Sequence, residues 1–355
     1  MPIECFQSSA PKKIDILDRC LEDGNLGFGE YVIEFEREFQ KFSNLSYNIG
    51  FNSATAAASA IFRRLYEKYG RCDVWTPSLT FISPSQAATQ AGHHVLYVDV
   101  DDNLLFDVDD YLNKRRPAMA MRRNKSIVMP MLYGGVSAIP NMDKLIGDEI
   151  IVVDSAHCIT PEIKSDYAFF SFHTVKPISM GSGGMISTED EESAEYFRKF
   201  RNFGRVQLGH SYDIVQDGSN SYMNNLNAAI GLSQIDSCIE NVKIRRQNYE
   251  YIQKNMDKSV GRLVEHGESS SYYLCALILD EKLDYFKVKA LFGEKGVQTT
   301  YHYPPIHTFT HHRSETLLDN TELLSKRLIN LPIHQNLTKN DMEKIVSLLG
   351  ECRYE

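Results

Sequence analysis

Residues 149–188, EIIVVDSAHCITPEIKSDYAFFSFHTVKPISMGSGGMIST, constrain this chain more than any other stretch. The apolar run Ile150-Ile151-Val152-Val153 is short, β-branched and bounded by polar residues, the pattern of a strand buried on both faces of a parallel sheet. Asp154 stands at its end. Open α/β sheets bind ligands at the carboxyl ends of their strands, so a carboxylate there is placed to meet one. A second apolar strand is expected over residues 167–172, and Lys176 follows it, 22 positions after Asp154 and just ahead of Gly181-Ser182-Gly183-Gly184.

An acid and a lysine beside a flexible loop are the two groups that pyridoxal 5′-phosphate (PLP) chemistry requires. The lysine carries the cofactor covalently, and the acid pairs with the protonated pyridine nitrogen so that the ring can accept electrons. Taken alone, these residues leave blander roles open. A strand-end Asp serves equally as a helix cap or ion-pair partner, and a Lys after a strand is commonly solvated.

The rest of the chain supports an α/β reading. Residues 1–29 are loop-rich, and a helix over residues 30–42 carries Val32, Phe35, Phe39 and Phe42 as an apolar stripe. A short strand from Tyr47 leads through Asn52-Ser53-Ala54-Thr55 into an alanine-rich helix over residues 56–69. Asn and Ser suit a helix start, and the free amides of a first helical turn form an anion site. Strands are expected at residues 74–76, 94–99 and 126–132, with Pro77-Ser78-Leu79-Thr80-Phe81 following the first of them. Strands alternating with helices from 47 to 188 predict a mainly parallel sheet covered on both faces. Residues 191–202 read as an exposed helix, and a long helix from about Cys238 leads into a second unit. That unit has strands at 272–279 and 297–301 and helices at 285–292 and 339–349. The expected division is a large domain over 1–240 and a small carboxyl-terminal α/β domain over 241–355.

DSAH, SFHTVK and SGGMIST resemble, in order and spacing, the signature of the DegT/StrS-type sugar aminotransferases, which belong to the aspartate aminotransferase fold superfamily. The resemblance extends to Gly29, Val32, Phe35 and Glu36, to Ser53-Ala54-Thr55, to Pro77-Ser78-x-Thr80-Phe81, to Asn220 and to the Gly296–His307 and Leu331–His334 runs, nearly the whole chain. It implies PLP-dependent transferase fold type I and PLP as cofactor. It also implies roles. Lys176 and Asp154 are catalytic; Ser53, Ala54 and Thr55 hold the cofactor's phosphate, and Ser171 is a cofactor-binding residue. Phe81 stacks on the pyridine ring, and His157 bonds the phenolic oxygen. Asn220 reaches the phosphate of a partner subunit, which makes the chain a homodimer with shared active sites. His302 and Tyr303 are candidates for contact with the substrate. The activity implied is amino transfer from an amino acid, by family habit L-glutamate, to a keto group of a nucleotide-linked deoxysugar, a 4-keto-6-deoxyhexose. Amination at carbon 3, a PLP-dependent sugar dehydratase and a non-catalytic PLP-binding regulator are the alternatives. Dehydratase relatives carry His where this chain has Lys176. Two positions depart from the family pattern: Ser182 stands where Glu is common, and Tyr222 where Arg is usual.

Composition sets outer bounds. A formal charge of −9 over 355 residues gives no clustered positive surface for nucleic acid, and the pairs Arg122-Arg123 and Arg245-Arg246 read as solvated faces. No run approaches the roughly 18 apolar residues of a membrane span, and no secretory signal is expected in the first thirty residues. Seven cysteines without CxxC spacing predict reduced thiols and a cytoplasmic setting. His302, His307, His311 and His312 lie in a proline-interrupted loop without an acidic partner at zinc-site spacing, so no metal is expected.

Overall fold

The computed structural model describes residues 2–121, 124–145 and 147–352. Its centre is a seven-stranded sheet built from β1 (Tyr47–Phe51), β2 (Asp73–Pro77), β3 (His94–Val98), β4 (Ser126–Val128), β5 (Ile150–Asp154), β6 (Tyr167–Ser171) and β7 (Gly184–Thr188). The spatial order is β1-β7-β6-β5-β4-β2-β3. Strands β3, β2, β4, β5 and β6 run parallel, whereas β7 is antiparallel to both β6 and β1.

Strand alternation explains why this sheet is covered on both faces. Val74, Ile127, Val152 and Phe169 point to one apolar cluster, which includes Ile61, Phe62 and Leu65 of the helix Ala54–Tyr69. Their neighbours Trp75, Val128, Val153 and Phe170 point to the other, which holds Val32, Phe35 and Phe39. Successive side chains of a strand alternate faces, so a run such as Ile150–Val153 must be apolar throughout. Full burial of each large side chain contributes about 1.5–3 kcal/mol.

Three further strands, β10 (Gly261–Leu263), β11 (Cys275–Leu279) and β12 (Leu328–Leu331), form an antiparallel sheet in the order β10-β11-β12. The helices Ile235–Asn255, Tyr285–Glu294 and Lys339–Glu351 cover it through Ile252, Phe292 and Leu348 among others. Between the two sheets in sequence, β8 (Arg205–Leu208) and β9 (Ser211–Ile214) make a separate two-stranded hairpin.

Several expectations need correction. The amino-terminal thirty residues contain a helix, Asp15–Asp23. The helix expected to reach Phe42 is α-helical only over Glu30–Glu38 and tightens into a 3₁₀ turn at Phe39–Lys41. Residues 272–274 do not extend β11. The amides of Tyr273 and Leu274 instead donate to the Gly134 carbonyl. Residues 297–301 make only isolated bridges, from Val297 to Ile3 and from Thr300 to Asn330. The helix Glu191–Phe200 is amphipathic, with Ala194, Tyr196 and Phe197 buried. Arg245 is not solvated. It is buried, and its Nε and Nη2 donate to Gln335 Oε1 at 3.2 and 2.9 Å. Arg122 and Arg123 lie outside the described residues.

All seven cysteines are free and buried. No helix among the described residues is long and apolar enough to cross a membrane.

Candidate active site

The sheet brings four strand ends to one edge. β1 ends at Phe51, β2 at Pro77, β5 at Asp154 and β6 at Ser171. The antiparallel β7 begins at the same edge, because Gly184 pairs with both Phe51 and Ser171. Gly184 is required there. A Cβ on it would lie 2.4 Å from the Ser53 carbonyl carbon and 2.5 Å from the Ala54 nitrogen. The helix start can therefore close onto the lysine loop only over a glycine.

A cavity of about 330 Å³ opens at this edge, within the usual range for small-molecule sites. Ser53, Ala54, Thr55, Phe81, Asp154, His157, Ser171, Lys176, His302 and Tyr303 all line it. Asn220 does not. It is exposed outside the cavity, and its carbonyl accepts from Asn52 Nδ2 at 3.3 Å.

Each wall follows from local sequence. Ser53 caps the helix Ala54–Tyr69, its Oγ accepting from the Ala56 amide at 3.1 Å, and so presents the first helical turn to the cavity. The lysine loop is fastened from outside. Gln234 exchanges hydrogen bonds with the Ser179 backbone at 2.9 and 2.8 Å, and Asn227 Nδ2 donates to the carbonyls of Met180 and Ser182, both at 2.7 Å. Ser182 itself donates to the Asn52 carbonyl at 2.7 Å, tying the loop to the end of β1. Tyr222, at the other departure, packs its ring against Phe28 at 6.2 Å.

The electrostatics are dominated by burial. Burial lowers Lys176 from 10.5 to about 7, with the nearby Asp154 pulling the other way. Burial raises Asp154 from 3.8 to about 6, opposed by the Ala156 amide, which donates to Oδ1 at 3.0 Å, and by the Lys176 charge. Among the described residues Asp154 is in no ion pair. A buried carboxylate without a hydrogen-bonded cation is costly, and a protonated pyridine nitrogen is the kind of group that offsets the cost.

His157 is held well below its usual value, first by burial and then by the Lys176 charge. Its tautomer follows from its partners. The Gly134 amide donates to Nδ1 at 3.3 Å, so the proton is on Nε2, which donates to Tyr303 Oη at 2.9 Å. The Gly134-Gly135 turn passes directly beneath. Gly135 has φ +94°, and a Cβ there would come within 2.9 Å of the His157 carbonyl oxygen.

The sequence reading missed Tyr273, which also lines the cavity, with its ring centroid 4.2 Å from Lys176 Nζ. No short motif marks it. It reaches the site only because residues 271–274 turn back to hydrogen-bond Gly134 and Gly135. His307, one of the four clustered histidines, is buried away from the cavity against Ser78. Among the described residues no group of three or more His, Cys, Asp or Glu side chains is arranged to hold a metal ion.

A lysine and an acid at adjacent strand ends, a helix amino terminus ready for a phosphate and an aromatic wall together fit PLP, and the fold is that of the PLP-dependent sugar aminotransferases. The model of the DegT/DnrJ/EryC1/StrS aminotransferase family matches residues 7–350, and the chain belongs to that family of PLP-dependent enzymes. It is similar to the spore coat polysaccharide biosynthesis protein SpsC of Bacillus subtilis, 26% identical over 376 residues, covering 96% of this chain and 94% of SpsC. It is also 26% identical, over 363 residues, to the UDP-4-amino-4,6-dideoxy-N-acetyl-beta-L-altrosamine transaminase of Campylobacter jejuni, covering 95% of this chain and 93% of that one. The PLP form of the putative sugar aminotransferase Spr1654 of Streptococcus pneumoniae shares the fold with a TM-score of 0.89 at 20% identity, over 100% of this chain and 99% of that chain. The activity at the coarse level is thus that of a sugar aminotransferase of nucleotide-sugar biosynthesis.

Proposed function

We propose that this chain transfers the amino group of L-glutamate to the carbon-4 keto group of a nucleotide-linked 6-deoxyhexose. The observation that carries the reading is the pairing, in one cavity, of a buried lysine amine with a buried carboxylate that forms no ion pair among the described residues. The choice of carbon 4 rests on the Campylobacter relative, whose name describes a 4-amino-4,6-dideoxy sugar.

PLP, when bound, supplies the electron sink that makes the α-proton of an amino acid acidic. This chain's residues do the rest. Lys176 holds the cofactor covalently at rest. Its Nζ, about half unprotonated at pH 7, would take the α-proton of the donor and return it at the carbon that receives nitrogen. Asp154 keeps a proton on the pyridine nitrogen, because an adjacent carboxylate favours the cation. Phe81 offers the ring a flat apolar face. The amides of Ala54 and Thr55, with the hydroxyls of Ser53, Thr55 and Ser171, hold the phosphate at the helix start. His157 holds its proton on Nε2, where the phenolic oxygen of the cofactor can accept it in exchange for Tyr303. His302 and Tyr303 face the sugar.

In this reading residues 1–240 form the cofactor domain and 241–355 the smaller one, and the working unit is a cytoplasmic homodimer in which Asn220 of a second copy completes each phosphate site. The exposed position of Asn220 supports that arrangement.

The test is the absorbance spectrum of the PLP-loaded protein before and after L-glutamate, followed by product analysis with 4-keto and 3-keto nucleotide sugars. Conversion to the amine form of the cofactor and 4-amino product are expected. A cofactor spectrum that glutamate leaves unchanged sinks the donor assignment, and amination of only the 3-keto sugar moves the reaction to the neighbouring carbon.

A further inference from the structure

Two loops meet at the mouth of the Lys176 cavity. One follows β2 and carries Phe81; the other carries Tyr303, and their rings lie 5.9 Å apart. Phe81 is 54% exposed, and Tyr303 is half-buried, its hydroxyl held by His157 Nε2 at 2.9 Å. What joins the loops is a buried pair behind them. The Ser78 carbonyl accepts from the Ile306 amide at 3.0 Å, Ser78 Oγ accepts from the His307 amide at 3.1 Å, and the same Oγ lies 2.6 Å from His307 Nδ1. Both side chains are buried, at 0% and 4% exposure.

The order Ser78, His307, Glu322 imitates a nucleophile, base and acid, because His307 Nε2 is 3.5 Å from Glu322 Oε1. It is not a hydrolytic site. Ser78 Oγ is buried and does not line the Lys176 cavity, and it already accepts a backbone amide from the loop opposite. With that bond in place the hydroxyl donates to Nδ1, which puts the imidazole proton on Nε2, facing Glu322. The pair therefore fastens one loop to the other through three hydrogen bonds.

We propose that Ser78 and His307 are positioning residues that fix the spacing between Phe81 and Tyr303, and so set how firmly the cavity grips a flat cofactor and its sugar partner. This rests on the cavity being the PLP site. Ser78 is three residues before Phe81, and His307 four after Tyr303, so rupture of the clamp loosens the backbone of both walls, with Tyr303 keeping its side-chain bond to His157, while Asp154 stays on β5 and Lys176 in its own fastened loop.

The experiment begins with the cofactor-free protein, so that it does not depend on the reaction. Hydrogen exchange is followed in wild type, Ser78→Ala, His307→Leu and His307→Asn, the last keeping an acceptor near the Nδ1 position. Ser78→Ala is expected to speed exchange in residues 303–309, and His307→Leu in residues 79–82, each about tenfold, the size of one lost buried hydrogen bond. His307→Asn is expected to restore most of the protection. In the loaded enzyme, the PLP dissociation constant and the KM for the keto sugar rise about three- to tenfold, while the glutamate half-reaction rate constant changes less than about twofold. Exchange confined to the mutated loop, or a fall in the half-reaction rate with KM unmoved, overturns the proposal. So does a Ser78→Ala protein that fails to fold, since the pair would then be a stability element. Failure of wild type to react with glutamate would count against the aminotransferase reading alone, and the exchange data would still decide the clamp.

Discussion

Lys176 Nζ lies 4.2 Å from the centroid of the Tyr273 ring, so the buried amine rests on an aromatic face. Phe6 stacks on Tyr273 with centroids 5.5 Å apart and planes 20° from parallel, and His157 packs 4.4 Å from it. The ring is thus held in place from both the amino-terminal segment and the DSAH turn. An aromatic face stabilises an ammonium by about 0.5–2 kcal/mol. Replacing Tyr273 by Leu removes that support, and the Lys176 pKa is expected to fall by about 0.5–1 unit; Tyr273→Phe keeps the face and the value. The pH dependence of PLP capture by the cofactor-free protein measures it. Identical midpoints in all three proteins would remove Tyr273 from the account.

The direction of that pH dependence follows from burial. Only the unprotonated amine captures PLP, and Lys176 is lowered from 10.5 to about 7. The capture rate constant is expected to rise through pH 7 and level off by about pH 8, with no further climb toward 10.5. Stability of the cofactor-free protein moves in the same sense. Between pH 7 and 10.5 the unfolded chain holds the lysine proton more tightly than the folded one, so this group makes the fold more stable as pH rises through that window. Asp154 works oppositely. Its folded value of about 6 lies above 3.8, so its contribution is present at low pH and lost as pH rises through 6. Urea midpoints across pH 4–10 for wild type, Lys176→Met and Asp154→Asn separate the two slopes.

Lys176 and Asp154 are expected to fail in different ways. Lys176→Ala loses both the covalent link and the proton carrier, so borohydride treatment with PLP leaves no label at the site, and turnover falls at least about 10²-fold. Asp154→Asn keeps the lysine and still captures PLP. It loses the carboxylate that protonates the pyridine nitrogen, so its half-reaction with glutamate slows by a comparable factor, and its capture midpoint drops below 7 because the charge that raised Lys176 is gone. Mass spectrometry of the reduced adduct and stopped-flow absorbance read these separately. Near-normal turnover of Asp154→Asn with PLP bound would sink the role given to the acid.

Much of this architecture was legible because its signals are local. Ile150–Val153 must be a buried strand wherever it lies, and Ser53 must cap whatever helix follows, so the sheet and the helix start can be read without tertiary information. The convergence of Ser53, Phe81, Asp154, Ser171 and Lys176 at one edge then follows from parallel strands ending together. What the sequence concealed depends on long-range pairing. Tyr273 looks like part of an apolar strand, yet its amide is claimed by Gly134, and that bond turns its ring toward Lys176. Arg245 has the composition of a surface residue and is enclosed only because Gln335, 90 positions away, accepts from it. The β8–β9 hairpin was not anticipated, since Arg205–Leu208 and Ser211–Ile214 alternate no clear inward face.

That hairpin carries the last prediction. Seven of its eight strand residues are exposed, with Leu208 at 58%, Tyr212 at 58% and Ile214 at 51%. An isolated two-stranded ribbon is marginal in water, and exposed apolar residues along it call for a covering surface. Its base is fixed by close backbone contact: Val215 donates to the Gly204 carbonyl at 3.0 Å, and the chain then runs directly to Asn220, the residue proposed above to complete the neighbour's phosphate site. A second copy that covers the hairpin would be positioned by the same segment that delivers Asn220. Leu208→Asp with Tyr212→Asp and Ile214→Asp is therefore expected to convert a dimer to a monomer in sedimentation velocity, and to weaken PLP binding although no substituted residue lines the cavity. Asn220→Ala is expected to weaken PLP binding in a protein that remains dimeric. A hairpin variant that stays dimeric with wild-type PLP affinity would place the interface elsewhere on the molecule.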